Sequence, residues 1–378
     1  MIRVIADNIM SPLGLTTGEN LQAILRGESQ LRVRRGLFGL PEDFCGSVFD
    51  RDMVPEIADT QANDGGFSFF ERLCIASAAK AVAQSGIDPA AEDVIFVIST
   101  TKGNVDAISR DLMAPEAYIG ESARRIAGYF GCSNSLVTSN ACISGVCAQI
   151  AGVRALLGGR FRYAVIVGAD VLSRFIVSGF QSFKALSPEP CRPYDAERCG
   201  LNLGEAAGTI ILERCDDSDA DQSTWQFVAC SNHNDANHIS GPSRTGEGSF
   251  RVLRDLLAAL PADRLAFVNA HGTATLYNDE MESIALDRAG LAATPVNALK
   301  GFYGHTLGAA GIIETILSMH AVDNGIVLPT RGFASQGTSH RLNVSADVRP
   351  TDCRAFFKIL SGFGGSNAGI AYRKGGDR

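Results

Sequence analysis

The sequence has no long uninterrupted apolar run. Every hydrophobic stretch meets a glycine or a charge within about ten residues, well short of the roughly 20 that a membrane-spanning helix needs. The opening residues, MIRVIADNIMSPLGL, hold no apolar core followed by a small-residue cleavage site, so no secretion signal is read there. Positive charge is also in deficit: 34 lysines and arginines against 41 acids leave a net charge of −7. That balance excludes bulk attraction to nucleic acid or to an anionic membrane surface. Ten cysteines are present, but none stands in a CxxC pair, and Cys191 and Cys199 are followed by no matching histidine or cysteine pair. Neither a zinc knuckle nor a disulfide framework is expected. The reading is a cytoplasmic protein with reduced thiols, most of them small core residues.

What is there is ample apolar material: 46% of 378 residues are hydrophobic and 20% charged, enough for two domains or one duplicated domain. The 40 glycines carry no collagen-like period. Short apolar runs read as strands buried on both faces: 93–99, 163–168 and 207–213. Between them, 70–84 and 146–157 have the spacing of amphipathic helices. The polar, acidic stretch 215–224 reads as a linker, after which the pattern restarts with strands at 225–231, 266–270, 295–298 and 355–361 and a helix from Leu307 to about His320. Two successive α/β halves account for this, 1–214 and 225–378, with no short-period repeat in the letters.

Three reactive side chains fall at expected strand ends. Cys142, in Thr138-Ser139-Asn140-Ala141-Cys142-Ile143-Ser144-Gly145, follows a strand at 135–138 and opens a helix, where the macrodipole favours thiolate. His271, in His271-Gly272-Thr273-Ala274-Thr275, follows the strand 265–270. His305, in Gly304-His305-Thr306-Leu307-Gly308-Ala309-Ala310-Gly311, follows a strand read as holding Asn297 and Lys300. Singly, a structural cysteine or a satisfied core histidine is the ordinary reading of each. Together, two imidazole N–H groups converging on one carbonyl oxygen beside a thiol suggest covalent acyl chemistry. Thr273 and Thr275 offer hydroxyls to an amide-bearing substrate arm. Lys300 is read as tuning the histidines, and Asp279, Glu282 and Glu314 as bracing loops and pairing with lysine. The run Leu360–Gly369 reads as a glycine loop joining two strands, its N–H groups forming half of an oxyanion hole and Phe363 covering the site. No helix follows, so it is no dinucleotide fingerprint.

These motifs resemble the elongating β-ketoacyl-acyl-carrier-protein synthases of the thiolase-like superfamily. The likeness runs from Ser11-Pro12-Leu13-Gly14 to Gly362–Ala368 and includes Cys191-Arg192-Pro193-Tyr194-Asp195, Gly204-Glu205-Ala206-Ala207-Gly208 and Asp235-Ala236-Asn237-His238-Ile239. It implies an α/β, thiolase-like fold whose two similar halves form a layered α-β-α-β-α sandwich. It implies an acyltransferase that makes 3-oxoacyl-acyl carrier protein from an acyl thioester and malonyl-acyl carrier protein, through an acyl-Cys142 intermediate. In that scheme His271 and His305 stabilise the enolate, Cys142 and Phe363 supply the oxyanion hole, and Thr273 and Thr275 hold the phosphopantetheine arm. Lys300 and Glu314 support the histidines, and Asp279 has a supporting place. No bound cofactor or metal is implied. The partner is acyl carrier protein, and the assembly a homodimer, with a heterodimer with a second ketosynthase-like subunit as the alternative. Initiating synthases carry asparagine in place of the second histidine, chain-length factors lack the nucleophile, and thiolases need a second cysteine near the last glycine loop. None of these fits Cys142, His271, His305 and the cysteine-free loop at Phe363.

The chain also departs from the family. The stretch 103–141 is short, Ile359-Leu360-Ser361 stands where Asn-Ser-Phe is usual, and Leu328-Pro329-Thr330 lacks a second proline. These departures favour polyketide or polyene chains over housekeeping fatty acids. Arg124 and Arg125 read as a solvated helix face rather than a carrier-protein contact.

Overall fold

The computed structural model describes residues 1–54, 66–109, 114–216 and 223–375. The first part of the chain runs β1 (Ile2–Met10), α1 (Thr17–Leu25), β2 (Arg32–Arg34), β3 (Phe44–Ser47), α2 (Phe69–Ser85), β4 (Val94–Ser99), α3 (Ile119–Tyr129), β5 (Ser135–Thr138), α4 (Ser144–Leu157), β6 (Tyr163–Asp170), α5 (Arg174–Ser182), β7 (Leu203–Gly204) and β8 (Ala206–Arg214). The second runs β9 (Trp225–Asn234), α6 (Glu247–Ala259), β10 (Leu265–Asn269), α7 (Leu276–Arg288), β11 (Pro295–Asn297), α8 (Lys300–Tyr303), α9 (Ala310–Asp323), β12 (Ile326–Val327), β13 (Asn343–Val344), β14 (Arg349–Pro350), β15 (Ala355–Gly362) and β16 (Ser366–Lys374). Of the linker read at 215–224, residues 217–222 lie outside the described residues, as do 110–113 of the shortened stretch.

Strands that are apolar throughout need cover on both faces, and this chain provides it in five layers. Strands β5-β4-β6-β8-β1 form one sheet region and β9-β16-β15-β10-β11-β13 the other, continuous at the single pair Arg3–Gln226. The two regions repeat one pattern. In the first, β4 is parallel to β5 and β6, and β6-β8-β1 is antiparallel. In the second, β10 is parallel to β11 and β15, and β15-β16-β9 is antiparallel. Helices α4 and α9 pack against each other between the regions, α2 and α3 cover the outer face of the first, and α6 and α7 cover that of the second.

The central position explains the composition of α9. A helix between two sheets must be apolar all round. All of Ala310–Val322 is buried except His320, which is half-buried. Each fully buried isoleucine or leucine there contributes roughly 1.5–3 kcal/mol. On the outside, α2 starts with a reciprocal cap, Ser68 Oγ accepting from Glu71 N and Glu71 Oε2 accepting from Ser68 N, and stops at Gly86 in the left-handed region (φ 70°). Among the described residues, no helix is long and apolar enough to cross a membrane.

Four expectations are corrected. Lys300 does not lie on a strand: β11 ends at Asn297 and Lys300 begins the short helix α8. The predicted helix from Leu307 begins as a 3-10 turn, with α9 proper starting at Ala310, because Leu307 holds a left-handed φ of 52°. Arg125 is not solvated: its guanidinium pairs at 3.0 Å with the buried Glu71 carboxylate, whereas Arg124 pairs with Glu121 at the surface. The thiols are all free, and Cys199 is exposed rather than core.

Candidate active site

The repeated sheet pattern places the three reactive residues. The loop after β5 carries Cys142 ahead of α4, and the loop after the matching β11 carries His305 ahead of α9. His271 leaves the end of β10, which matches β4. Glycines let the two central helices meet backbone to backbone at their N-terminal ends. A Cβ on Gly145 would lie 2.9 Å from Gly308 O, and one on Gly311 would lie 2.6 Å from Val146 N.

Cys142 lies in a tight turn rather than in the helix itself. Ala141 has a φ of 45°, a costly left-handed conformation for a residue with a Cβ. Ser144 holds the turn, accepting from Asn140 N at 2.8 Å and donating to Ala141 O at 2.6 Å. The Phe363 N–H faces the Cys142 sulfur. Gly362 packs so closely that a Cβ there would lie 3.2 Å from Cys142 N. Burial pushes the Cys142 thiol up to about 11, against the pull of the Lys300 ammonium, the Phe363 N–H and Lys102. Desolvation thus works against the thiolate that a helix terminus favours.

The His271 loop is held by carboxylates. Glu282 accepts from the backbone N–H groups of His271 (2.7 Å) and Gly272 (2.8 Å) and from the Tyr194 hydroxyl (3.0 Å). Asp279 accepts from Thr273 N (3.0 Å), Ala274 N (3.2 Å) and Tyr194 N (2.7 Å). Burial pushes Asp279 up to about 7 and also raises Glu282. Asp279 and Glu282 thus hold the His271 loop through its backbone, and neither forms a salt bridge with lysine among the described residues.

His305 is fixed through its backbone, donating to Asn202 O at 2.7 Å and accepting from Gly204 N at 3.0 Å. Its Nδ1 accepts from Leu307 N at 3.3 Å, so the neutral ring carries its proton on Nε2. That Nε2 is buried without a protein partner, and so is Nδ1 of His271. The rings sit 5.1 Å apart at 79°. The Cys142 sulfur and a nitrogen of each ring all lie within 4.8 Å of one another. Burial first, then the charges of Lys300 and Lys358, hold both imidazoles well below their usual range, so they are neutral N–H donors near pH 7.

Behind the histidines lies a dry ion cluster. Lys300 Nζ is 2.9 Å from Glu314 Oε1, and Lys358 Nζ is 2.5 Å from Glu314 Oε2. Burial alone would raise Glu314, yet the two ammoniums hold it below the usual carboxylate range. Thr273, Thr275 and Phe363 line the same cavity of about 730 Å³ as Cys142, His271 and His305. The Phe363 ring stacks on Phe180 (5.8 Å) and meets the edge of the exposed Phe183 (5.4 Å).

Sequence reasoning missed Lys358 and Asp170. The signal for the first was a lysine inside the apolar run Ala355-Phe356-Phe357-Lys358-Ile359-Leu360. Asp170, buried at the end of β6, accepts from Thr100 Oγ1, Thr101 N and Gly308 N at 2.7–2.9 Å. It ties the loop after β4 to the His305 loop. Nothing in its local sequence marks it.

Comparison with known proteins agrees with this geometry. The profile described as beta-ketoacyl synthase, N-terminal domain, matches residues 2–218, and the C-terminal domain profile matches 227–334. Nodulation protein E of Rhizobium leguminosarum bv. trifolii is 29% identical over 70% of this chain and 68% of its own length. The 3-oxoacyl-[acyl-carrier-protein] synthase 2 of Rhizobium meliloti is 32% identical over 65% of this chain and 61% of its own length. A solved ketosynthase (ApeO) in complex with its chain length factor (ApeC), from Xenorhabdus doucetiae, superposes over 99% of this chain and 98% of its own with a TM-score of 0.87 at 24% identity. The ishigamide ketosynthase/chain length factor superposes over 99% of both chains with a TM-score of 0.85, also at 24% identity. These two likenesses establish the thiolase-like fold. With the N-terminal profile alone spanning residues 2–218 of 378, the chain belongs to the beta-ketoacyl synthase family, a family of acyltransferases.

Proposed function

We propose that this protein condenses an acyl thioester with malonyl-acyl carrier protein, with loss of CO₂, to give 3-oxoacyl-acyl carrier protein. The observation that carries the reading is the convergence of one buried thiol and two neutral imidazoles with unpartnered ring nitrogens at one point of a cavity. In the first step the Cys142 sulfur attacks the acyl carbonyl, the C–S bond to the carrier's arm breaks, and the thiol proton leaves with that arm. The N–H groups of Cys142 and Phe363 hold the oxyanion. They also compensate for a thiol that burial keeps protonated, because charge appears only as the tetrahedral centre forms.

In the second step the C–C bond to the malonyl carboxylate breaks, CO₂ leaves, and the electron pair becomes an enolate. Its oxygen accepts hydrogen bonds from His271 and His305. The enolate carbon attacks the thioester on Cys142, the same oxyanion hole is used again, and Cys142 departs as thiolate and takes up one proton from water to restore the thiol. Neutral histidines suit the enolate, since each offers an N–H to developing negative charge without having to give up a proton. Thr273 and Thr275, 2.9 Å apart at the wall, suit hydrogen bonding to the amides of the phosphopantetheine arm.

No resident cofactor or metal enters this scheme. The net positive charge of Lys300, Lys358 and Glu314 behind the histidines disfavours a divalent cation between them. The partner is acyl carrier protein. The assembly is a homodimer joined at the edge strand β5, which among the described residues pairs only with β4 and leaves Leu136 exposed. A heterodimer is the second reading, favoured by the two superposing structures described as containing a chain length factor. Ten free thiols suit a reducing compartment, and we place the protein in the cytoplasm.

The test is reconstitution with acyl- and malonyl-acyl carrier proteins. The expected result is one CO₂ and one 3-oxoacyl product per acyl group consumed, abolished in Cys142→Ala. Product formation that survives this substitution, or none from the wild type, removes the reading.

A further inference from the structure

The buried lysine on β15 is unused by the chemistry above, and its surroundings give it work. Lys358 is 0% exposed and sits in register opposite Asn269 on β10. Its ammonium donates to Ala270 O at 3.1 Å and approaches Asn269 O at 3.5 Å, the two carbonyls that immediately precede His271. It lies 2.5 Å from Glu314 Oε2, whose other oxygen is already paired with Lys300. One carboxylate thus pairs directly with two ammoniums in a buried interior, Glu282 acting on Lys358 without pairing to it. Such an arrangement costs stability, because the second ammonium is buried with a shared partner.

We propose that Lys358 is a positioning residue for the decarboxylation half-reaction, its ammonium anchoring the strand end that presents His271 and adding a positive charge behind the histidine pair where the enolate forms. This rests on the reaction proposed above. The Lys300–Glu314 pair alone is neutral. Lys358 makes the cluster net positive, and in a low-dielectric site that charge acts on the enolate oxygen through the two imidazoles. The same charge opposes imidazolium formation and so keeps the pair as N–H donors. The titratable groups around the histidines are Cys142 from the turn before α4, Lys300 on α8, Glu314 on α9, Lys358 on β15, Glu282 and Asp279 on α7 and Asp170 at the end of β6. Of these, Lys358 can be removed while leaving the Lys300–Glu314 pair intact. Burial also draws Lys358 down to about 8, against the pull of Glu314, so its charge is present at neutral pH and fades above that value.

The experiment compares wild type, Lys358→Gln and Lys358→Arg. Glutamine keeps an N–H for Ala270 O but no charge, and arginine keeps the charge. Two rates are read separately as a function of pH: acyl loading of Cys142 from acyl carrier protein, and CO₂ release from malonyl-acyl carrier protein. Lys358→Gln is expected to load within about twofold of wild type while CO₂ release falls roughly ten- to a hundredfold. The acid limb of its CO₂-release profile is expected to move up by about one pH unit, because removing a neighbouring positive charge makes the imidazoles easier to protonate. Lys358→Arg should restore the position of that limb. Equal losses in both rates with an unmoved limb, or wild-type rates in Lys358→Gln, overturn the proposal. A wild type that neither loads nor releases CO₂ instead overturns the reaction on which it rests.

Discussion

Gly311→Ala tests how far the site depends on the contact between the two central helices. The added methyl would lie 2.6 Å from Val146 N and 2.8 Å from the carbonyl carbon of Gly145, both backbone atoms with no rotamer to change. Reaching ordinary contact near 3.4 Å requires α4 and α9 to separate by about 0.8 Å. Overpacking of this kind costs roughly 1–3 kcal/mol, offset by about 1 kcal/mol from the better helix propensity of alanine. The net loss of stability is therefore modest, about 0–2 kcal/mol. The functional loss should be larger. Cys142 precedes α4 and His305 precedes α9, so the separation opens the distance between nucleophile and enolate donor, and a misplacement near 1 Å costs on the order of 100-fold in rate. The assay is a thermal melt beside single-turnover condensation with pre-acylated protein. A variant that melts within a few degrees of wild type and condenses about 100-fold more slowly fits the reasoning. A variant that condenses at the wild-type rate refutes it, since the backbone contact would then not set the site geometry.

Other outcomes follow from the same structure. His271→Ala and His305→Ala should each still load an acyl group on Cys142 but lose about 100- to 1000-fold in CO₂ release, measured as separate half-reactions. Glu314→Gln strands two buried ammoniums; with the carboxylate that raises it gone, Lys358 falls below its wild-type value of about 8 and can shed its proton to limit the penalty. A loss of about 3 kcal/mol at pH 7 that shrinks by pH 9 is expected in denaturant titrations. His320 is lowered by burial but raised on balance by Asp7, 2.9 Å away. Its folded value lies above its unfolded one, so its contribution is complete below about 6.5 and is lost as pH rises through the folded value. His320→Gln should cost about 0.5 kcal/mol at pH 5.5, discounted for exposure, and almost nothing at pH 9.

Cys142, His271 and His305 were legible because each stands among small residues at the end of an apolar run, a pattern that survives without tertiary information. The carboxylate braces were legible as roles, since Asp279 and Glu282 fall at fixed offsets from His271, on the helix that follows it. Other features come from contacts between elements far apart in sequence. Cys142 precedes a helix start, which points to thiolate, but the burial that opposes this comes from residues far along the chain, with Phe180 and Gly362 lining the same cavity. The Arg125–Glu71 pair joins two helices that no local pattern connects. The correspondence of β5-β4-β6-β8-β1 with β11-β10-β15-β16-β9 leaves no trace in the letters, because a buried strand asks only for apolar residues of suitable volume. Lys358 was visible as an oddity in an apolar strand, but its meaning required Glu314 and Ala270 O beside it.

The most direct measurement is intact mass spectrometry of the protein after incubation with acyl-acyl carrier protein, and again after malonyl-acyl carrier protein is added. The account predicts a mass increase of one acyl group located on Cys142, absent in Cys142→Ser, that disappears as 3-oxoacyl-acyl carrier protein forms. Persistence of the acyl adduct after malonyl-acyl carrier protein is added, or its location on another cysteine such as the exposed Cys199, would contradict it.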